Sequence, residues 1–288
     1  MINDAHCHFF STPFFAPLGG ETALATLGWD APGDADALAD RWVAELDRHQ
    51  VSRAALIASV PGDTASVATA VSRHRERFVG FFMADPTQPD AAAKAAEAIA
   101  GGLRAICLFP AMHRYSIQDD RALRLFDVAA AAPGTAVFVH CGVLSVGVRK
   151  KLGLPSPFDI RFGNPLDLHA VALSRPQVPI IIPHFGAGLL REALMVADLC
   201  PNVLLDTSSS NGWIKYVGLS LADVFRQALA VAGPDRLLFG SDSSFFPRGW
   251  VRDVYERQSA ALDEIGATAD VRARIFGGNF DRVFPQTP

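Results

Sequence analysis

Short apolar runs recur along the chain, each followed by a stretch in which apolar residues return every three or four positions. The runs predict strands at 2–8, 53–60, 78–83, 103–109, 136–140, 179–184, 203–206 and 236–240. Several, such as VFVH, PIIIPH and RLLFG, are apolar on consecutive residues. That is the pattern of parallel strands covered on both faces, not of a half-exposed sheet.

The intervals between runs carry helix signals. Ser220 precedes Asp223 by three residues, a capping-box-like start with Asp in place of Glu. Leu221, Val224, Phe225, Ala228 and Leu229 then share one helical face. Asp34 or Asp36 is predicted to cap a helix that buries Leu38, Trp42 and Leu46. Leu123, Phe126 and Ala130 repeat the pattern up to Pro133-Gly134. Residues 11–33, rich in Pro and Gly, predict a long loop after the first strand, and 145–165 another after the fifth. Eight alternating units in 288 residues predict a (β/α)8 TIM-type barrel. A doubly wound open sheet is the alternative, because alternation does not demonstrate closure. No Gly-rich phosphate fingerprint follows the first strand, which counts against a nucleotide-binding version of it. No linker or short repeat interrupts the series, so residues 1–288 read as one domain.

Composition narrows the class. Half the residues are apolar and 19% are charged, the profile of a soluble globular protein. A formal charge of −4 without a Lys/Arg cluster argues against a nucleic-acid partner. The start, MINDAHCHFF, lacks a basic region followed by an apolar stretch, and no run reaches the roughly 18 apolar residues of a membrane span. Cys7, Cys107, Cys141 and Cys200 form no CxxC pair and read as reduced thiols. The expectation is a cytoplasmic protein with no membrane partner.

Five polar residues stand out against the apolar runs. His6 and His8 sit at i and i+2 on the first strand, so their side chains share a face about 6.6 Å apart, and Cys7 points the other way. His140 closes the fifth run, His184 closes the sixth, and Asp242 follows the eighth. In a barrel all five would surround one mouth. Each alone is also compatible with a hydrogen-bonded core histidine or a turn-capping aspartate. Burying five unpaired polar groups would cost several kcal/mol apiece, which favours a shared site.

This set, HxH on strand one, His on strands five and six, Asp on strand eight, resembles the amidohydrolase superfamily. Its second branch is the closer match, the one that includes aminocarboxymuconate semialdehyde decarboxylase, resorcylate-type decarboxylases and several lactonases. GLRAICLFPA, FVHCG, PHFGAG, LDTSS, LFGSDS and FGGNFDRVF follow the order of that branch over most of the chain. The resemblance implies His6, His8, His140 and Asp242 as metal ligands, with His184 a nearby base or hydrogen-bond donor. Two-ion members bridge their metals with a carboxylated lysine at the end of strand four. Here residues 106–110 read ICLFP, and Lys94, Lys150, Lys151 and Lys215 all lie elsewhere in the sequence. One ion is therefore expected, zinc by default for three imidazoles and a carboxylate, with manganese or another divalent ion as alternatives. Such an ion acidifies water and polarises a carbonyl, and Asp242 could accept the water's proton.

The leading expectation is a hydrolase of a lactone, ester or amide of a small organic acid. A non-oxidative carboxy-lyase is the alternative, since both reactions use the same ligands. A TatD-like deoxyribonuclease can also read DxHCH on its first strand, but strand four ends without an acidic ligand and no basic surface is evident. A metal-binding protein without turnover is the remaining reading. His113 and Arg114 after strand four, Arg161 after strand five, and Arg248 with Trp250 after strand eight are candidates for a substrate carboxylate, against an ordinary surface role. Phe9, Phe10, Phe14, Phe15, Phe109, Phe185, Phe245 and Phe246 follow strand ends. They could line a pocket for a ring-shaped or unsaturated acid, or simply pack. Asp206, Thr207 and residues 208–210 could hold ligands or cap a helix, Asn279 reads as structural, and His49, His74 and His169 fall in helical segments. The resemblance also implies a dimer or larger assembly.

Overall fold

The computed structural model describes residues 1–208, 212–244 and 249–286. Among the described residues nine strands form one sheet: β1 (Asn3–Phe9), β2 (Arg53–Ala58), β3 (Phe78–Ala84), β4 (Ala105–Leu108), β5 (Ala136–Val139), β6 (Ile180–Ile182), β7 (Val203–Asp206), β8 (Leu237–Leu238) and β9 (Ser243–Ser244). Neighbours pair in parallel, in the spatial order β8 to β1 and then β9. The ninth strand continues the eighth beyond a break at 239–242. It lies against β1 through Cys7–Ser243 and His8–Ser244, and the Ala5 amide donates to the Phe239 carbonyl at 2.8 Å. The last strand position thus closes on the first. The sheet is a barrel, and the open-sheet alternative falls.

Eight main helices follow the strands: α1 (Ala35–Arg48), α2 (Thr64–Arg73), α3 (Ala91–Ala100), α4 (Asp120–Ala131), α5 (His169–Ser174), α6 (Leu190–Leu199), α7 (Leu221–Ala232) and α8 (Arg252–Glu264). Asp34 caps α1 by accepting from the Ala37 amide, and Ser220 with Asp223 completes both halves of the capping box on α7. Leu38, Trp42 and Leu46 are buried on α1. On α7 the buried line is Ala222, Val224, Phe225, Ala228 and Ala232, with Leu221 and Leu229 at its margin. On α4 it runs through Ala122, Leu125, Phe126 and Ala129, so Leu123 and Ala130 lie beside the expected stripe.

The two predicted loops are corrected. Residues 11–33 fold into a helical turn at Thr12–Phe15, a tighter turn at Ala16–Leu18 and a helix at Glu21–Leu27. The prolines open the first two of these turns, where a missing N–H costs nothing. The second stretch contains the short helix Gly147–Lys151 and a turn at Ile160–Phe162.

Strand residues alternate between two cores. Val79, Phe81 and Met83 of β3, Ala105 and Cys107 of β4, and Ala136 and Phe138 of β5 fill the barrel interior. Phe78, Phe82, Ile106, Leu108, Val137 and Val139 pack outward against the helices. Phe280, Val283 and Phe284 join the interior from the C-terminal segment. Arg53, the first residue of β2, binds Asp281 at 2.6 Å and the Phe284 carbonyl at 2.9 Å, which places this plug at the N-terminal end. The opposite mouth is where the strands present their last residues.

Candidate metal centre

Local backbone geometry aims the five polar residues at that mouth. On β5 simple alternation suffices, since His140 follows Ala136 and Phe138 inward. On β1 it does not. Ala5 belongs to the interior while Cys7 and Phe9 belong to the outer core, and the register against β2 slips between Asp4 and Cys7. This bulge changes the parity of the strand and brings His6 and His8 inward after Ala5. On β6 alternation would send His184 outward with Ile180 and Ile182. A left-handed turn, with φ of 56° at His184, 50° at Phe185 and 44° at Ala187, redirects it. Asp242 also has φ of 58°, at the break in the eighth strand. A left-handed non-glycine residue costs about 1–3 kcal/mol, and two of the five site residues pay it.

The five meet. The rings of His6 and His8 lie 5.1 Å apart, those of His6 and His184 4.9 Å, and those of His140 and His184 5.3 Å. Asp242 Oδ1 is 3.0 Å from His8 Nε2 and 3.5 Å from His6 Nε2. Ligand atoms of His6, His184 and Asp242 lie within 4.8 Å of one another, a spacing one ion could span.

Second partners fix the rings. His6 Nδ1 is 2.5 Å from Asp206 Oδ2, and Asp206 Oδ1 accepts from the Ser208 amide at 2.7 Å. His8 Nδ1 is 2.7 Å from Ser59 Oγ. His184 Nδ1 lies 2.8 Å from the Ser208 hydroxyl and 3.1 Å from its carbonyl. With Nδ1 so engaged, Nε2 is the nitrogen each of the three offers to an ion, the arrangement that orients metal-binding imidazoles. Burial lowers the His6 pKa, but Asp206, and to a smaller extent Asp242 and Asp4, raise it to about 9. Burial pushes Asp242 up, yet the hydrogen bond from His8 and the His6, His184 and His8 charges hold it far below the ordinary carboxylate range.

His140 tests whether a cation fits. It is buried, stacks on Phe109 at 5.5 Å, and neither of its ring nitrogens has a hydrogen-bond partner. Burial, with the neighbouring histidines, holds its pKa well below the usual value, so the ring is neutral and its lone pair available. An unsatisfied buried imidazole costs about 1–3 kcal/mol, which coordination would relieve. A donor set of imidazoles around an ionised carboxylate suits zinc or a similar divalent ion, whose binding would displace the His6 proton. The residues fit the group.

The centre forms one wall of a cavity of about 490 Å³, which is also lined by Phe10, Phe14, Trp29, Met83, Phe109 and Lys151, among others. A larger outer groove of about 620 Å³ between α2 and α3 holds none of the five. Of the phenylalanines proposed for the pocket, Phe10, Phe14 and Phe109 line it. Phe9 and Phe15 belong to the outer core, and Phe185 packs on Trp213 and Phe225. Arg114 and Arg161 are not brought to the cavity: Arg114 Nη2 donates to the Pro157 carbonyl at 2.6 Å, and Arg161 is held at the surface by Asp159. Nor does His113 line it. Its Nδ1 is buried without a hydrogen-bond partner, 3.9 Å from the Asp85 carboxylate. Trp250 is buried and donates from Nε1 to Asp4 at 2.7 Å. Arg248, Phe245, Phe246, Ser209 and Ser210 lie outside the described residues. Asn279 has the structural role expected, donating to the Pro234 and Leu237 carbonyls at 2.7 and 2.8 Å.

A family model described as Amidohydrolase matches residues 3–286. The chain belongs to the amidohydrolase family. No curated protein matches this amidohydrolase, but solved structures do. A probable 2-pyrone-4,6-dicarboxylic acid hydrolase from Acinetobacter baumannii, solved with citric acid, is 14% identical, with 98% of each chain covered and a TM-score of 0.65. An amidohydrolase from Burkholderia multivorans with bound zinc is 17% identical over 100% of both chains, with a TM-score of 0.67. The 5-carboxyvanillate decarboxylase of Novosphingobium aromaticivorans, solved with manganese, is 14% identical over 99% of this chain and 97% of its own, at 0.65. These likenesses agree with the closed barrel. Among the described residues no helix is long and apolar enough to cross a membrane.

Proposed function

We propose that this amidohydrolase binds one divalent ion, zinc by preference, and hydrolyses a lactone, ester or amide of a small organic acid. His140 carries the reading. A buried, neutral and unpaired imidazole beside four other convergent donors is a poor structural element and a good ligand. We assign His6, His8, His140 and Asp242 to the ion, and His184 to proton transfer. Bound there, the ion would polarise a carbonyl and acidify water.

The chain's own residues do the rest. Asp242 stays ionised at neutral pH and can take the proton released as water adds. His184, held through Nδ1 by Ser208, presents Nε2 to the reacting group and can relay the proton that Asp242 takes from water to the departing oxygen or nitrogen. Phe10 and Phe14, stacked at 3.9 Å, offer a flat apolar wall that excludes water and suits a planar substrate. The zinc bound by the Burkholderia relative supports the choice of ion.

Metal analysis of the purified protein, joined to a screen of lactones and aromatic carboxylates, tests the proposal. Wild type should carry about one ion per chain and open a lactone, and His140→Ala should lose ion and turnover together. Turnover by a metal-free His140→Ala protein would reject it. The decarboxylase relative, which matches nearly the whole chain, favours a second reading, carboxy-lyase activity at the same centre. Release of carbon dioxide from a carboxylated aromatic, with no lactone opened, would select that reading.

A further inference from the structure

Arg114 and Arg161, two of the arginines expected to hold a substrate carboxylate, do not face the cavity, and a different cation does. Among the described residues Lys151 is the only lysine or arginine in the cavity lining. It ends the short helix Gly147–Lys151, and its ammonium sits over the Trp29 ring, 5.3 Å from the centroid. No carboxylate among the described residues forms an ion pair with it. A lysine on an indole face keeps its charge and its three donors while the ring holds its stem in place. Trp29 also continues an aromatic run that starts at the metal centre. His8 lies 5.6 Å from Phe10, Phe10 lies 6.3 Å from Phe15, and Phe15 lies 6.3 Å from Trp29.

We infer that Lys151 is the substrate-carboxylate receptor of this site, and that the substrate is a planar organic acid with its reacting group at the metal centre and a carboxylate elsewhere on its frame. The inference rests on the proposed metal centre for the position of the reacting end. Asp242 is the one carboxylate among the described lining residues and belongs to the reacting end, whereas the unpaired Lys151 ammonium attracts a second, free carboxylate. An anion bound there gains a charge-assisted hydrogen bond that a neutral analogue lacks. Lys151 thus acts in binding and specificity, and the chemical step belongs to the histidines and Asp242.

Isophthalate and benzoate are suitable probes, because they differ only by a second carboxylate. Zinc-loaded wild type, Lys151→Ala and Lys151→Arg are titrated calorimetrically with each. Wild type should prefer isophthalate by about tenfold, the Ala variant should lose that preference, and the Arg variant should keep most of it, with zinc content equal in all three. A preference that survives in Lys151→Ala, or one absent from wild type, overturns the inference. A kinetic comparison separates it from the hydrolase reading. With a carboxylated lactone Lys151→Ala should raise KM and leave kcat, while an uncharged lactone should be unaffected. If wild type opens no lactone yet the binding preference behaves as described, the hydrolase reading fails and the carboxylate receptor stands.

Discussion

His6 and Asp206, 200 residues apart in the chain, meet at 2.5 Å between Nδ1 and Oδ2. Burial raises the Asp206 pKa, but the His6 charge and hydrogen bond outweigh it and keep the carboxylate ionised. Strand seven thus holds, through Asp206, the ring of His6 on strand one, which we propose as a ligand. Asp206→Asn should weaken zinc affinity 10–100-fold while the fold is kept. Competition with a chromogenic chelator measures this; an unchanged dissociation constant would leave Asp206 a packing residue only.

Gly240 lies where the broken eighth strand crosses this pair. A methyl group there would overlap Asp206 Oδ1 and come within 3.0 Å of the His6 Cβ, both held by buried contacts. Gly240→Ala should lower stability by about 1–3 kcal/mol and weaken metal binding together. Thermal melts with and without zinc check both effects. Wild-type melting and affinity in the variant would mean that the strand can shift freely.

Much of this architecture was legible because consecutive apolar residues mark buried parallel strands, and four of those runs end in His or Asp, with Asp242 just beyond a fifth. The helical start at Ser220 and the cap at Asp34 were readable for the same local reason. What escaped depended on backbone conformations that composition does not encode. The bulge after Asp4 and the left-handed turn at His184 decide which way the site residues face, and strict alternation would point His184 outward. The role of Asp206 had one signal, an acidic residue closing a strand, but its partner is set by the barrel's closure. Arginines were favoured for a carboxylate because their fork fits it. Yet Arg114 and Arg161 are taken up by neighbouring loop groups, and Lys151 reaches the cavity through a short helix that the irregular sequence of 145–165 hid.

Asp40 on α1 offers a test of pH dependence away from the centre. It accepts from Arg73 Nε at 2.6 Å and from Nη2 at 2.7 Å, and it lies 2.7 Å from His74 Nε2. These hydrogen bonds, Arg73 first and then His74, lower its pKa to about 2. A folded-state pKa below the unfolded value of about 3.9 gives stability that is complete above that value and is lost as pH falls toward about 2. Asp40→Asn should therefore show a lower urea midpoint than wild type at pH 7, with the gap closing below about pH 4. A gap that stays constant or widens in acid would contradict the assignment.

His184 decides how the donors divide their work. The residue falls within the group that could hold an ion, yet Ser208 already orients its ring, whereas neither His140 nitrogen has a hydrogen-bond partner. Losing His140 removes a group whose burial only an ion relieves, so its variant should lose metal. Losing His184 should leave the other three imidazole and carboxylate positions of the proposed set in place. His184→Asn, whose amide can still bond to Ser208, should thus retain about one zinc per chain while kcat falls by about 10²–10⁴, the usual weight of a positioned proton donor or base. Metal content and turnover measured on the same preparation check this. If His184→Asn comes out metal-free, His184 is a ligand, and Asp242 is left as the proton-transfer group.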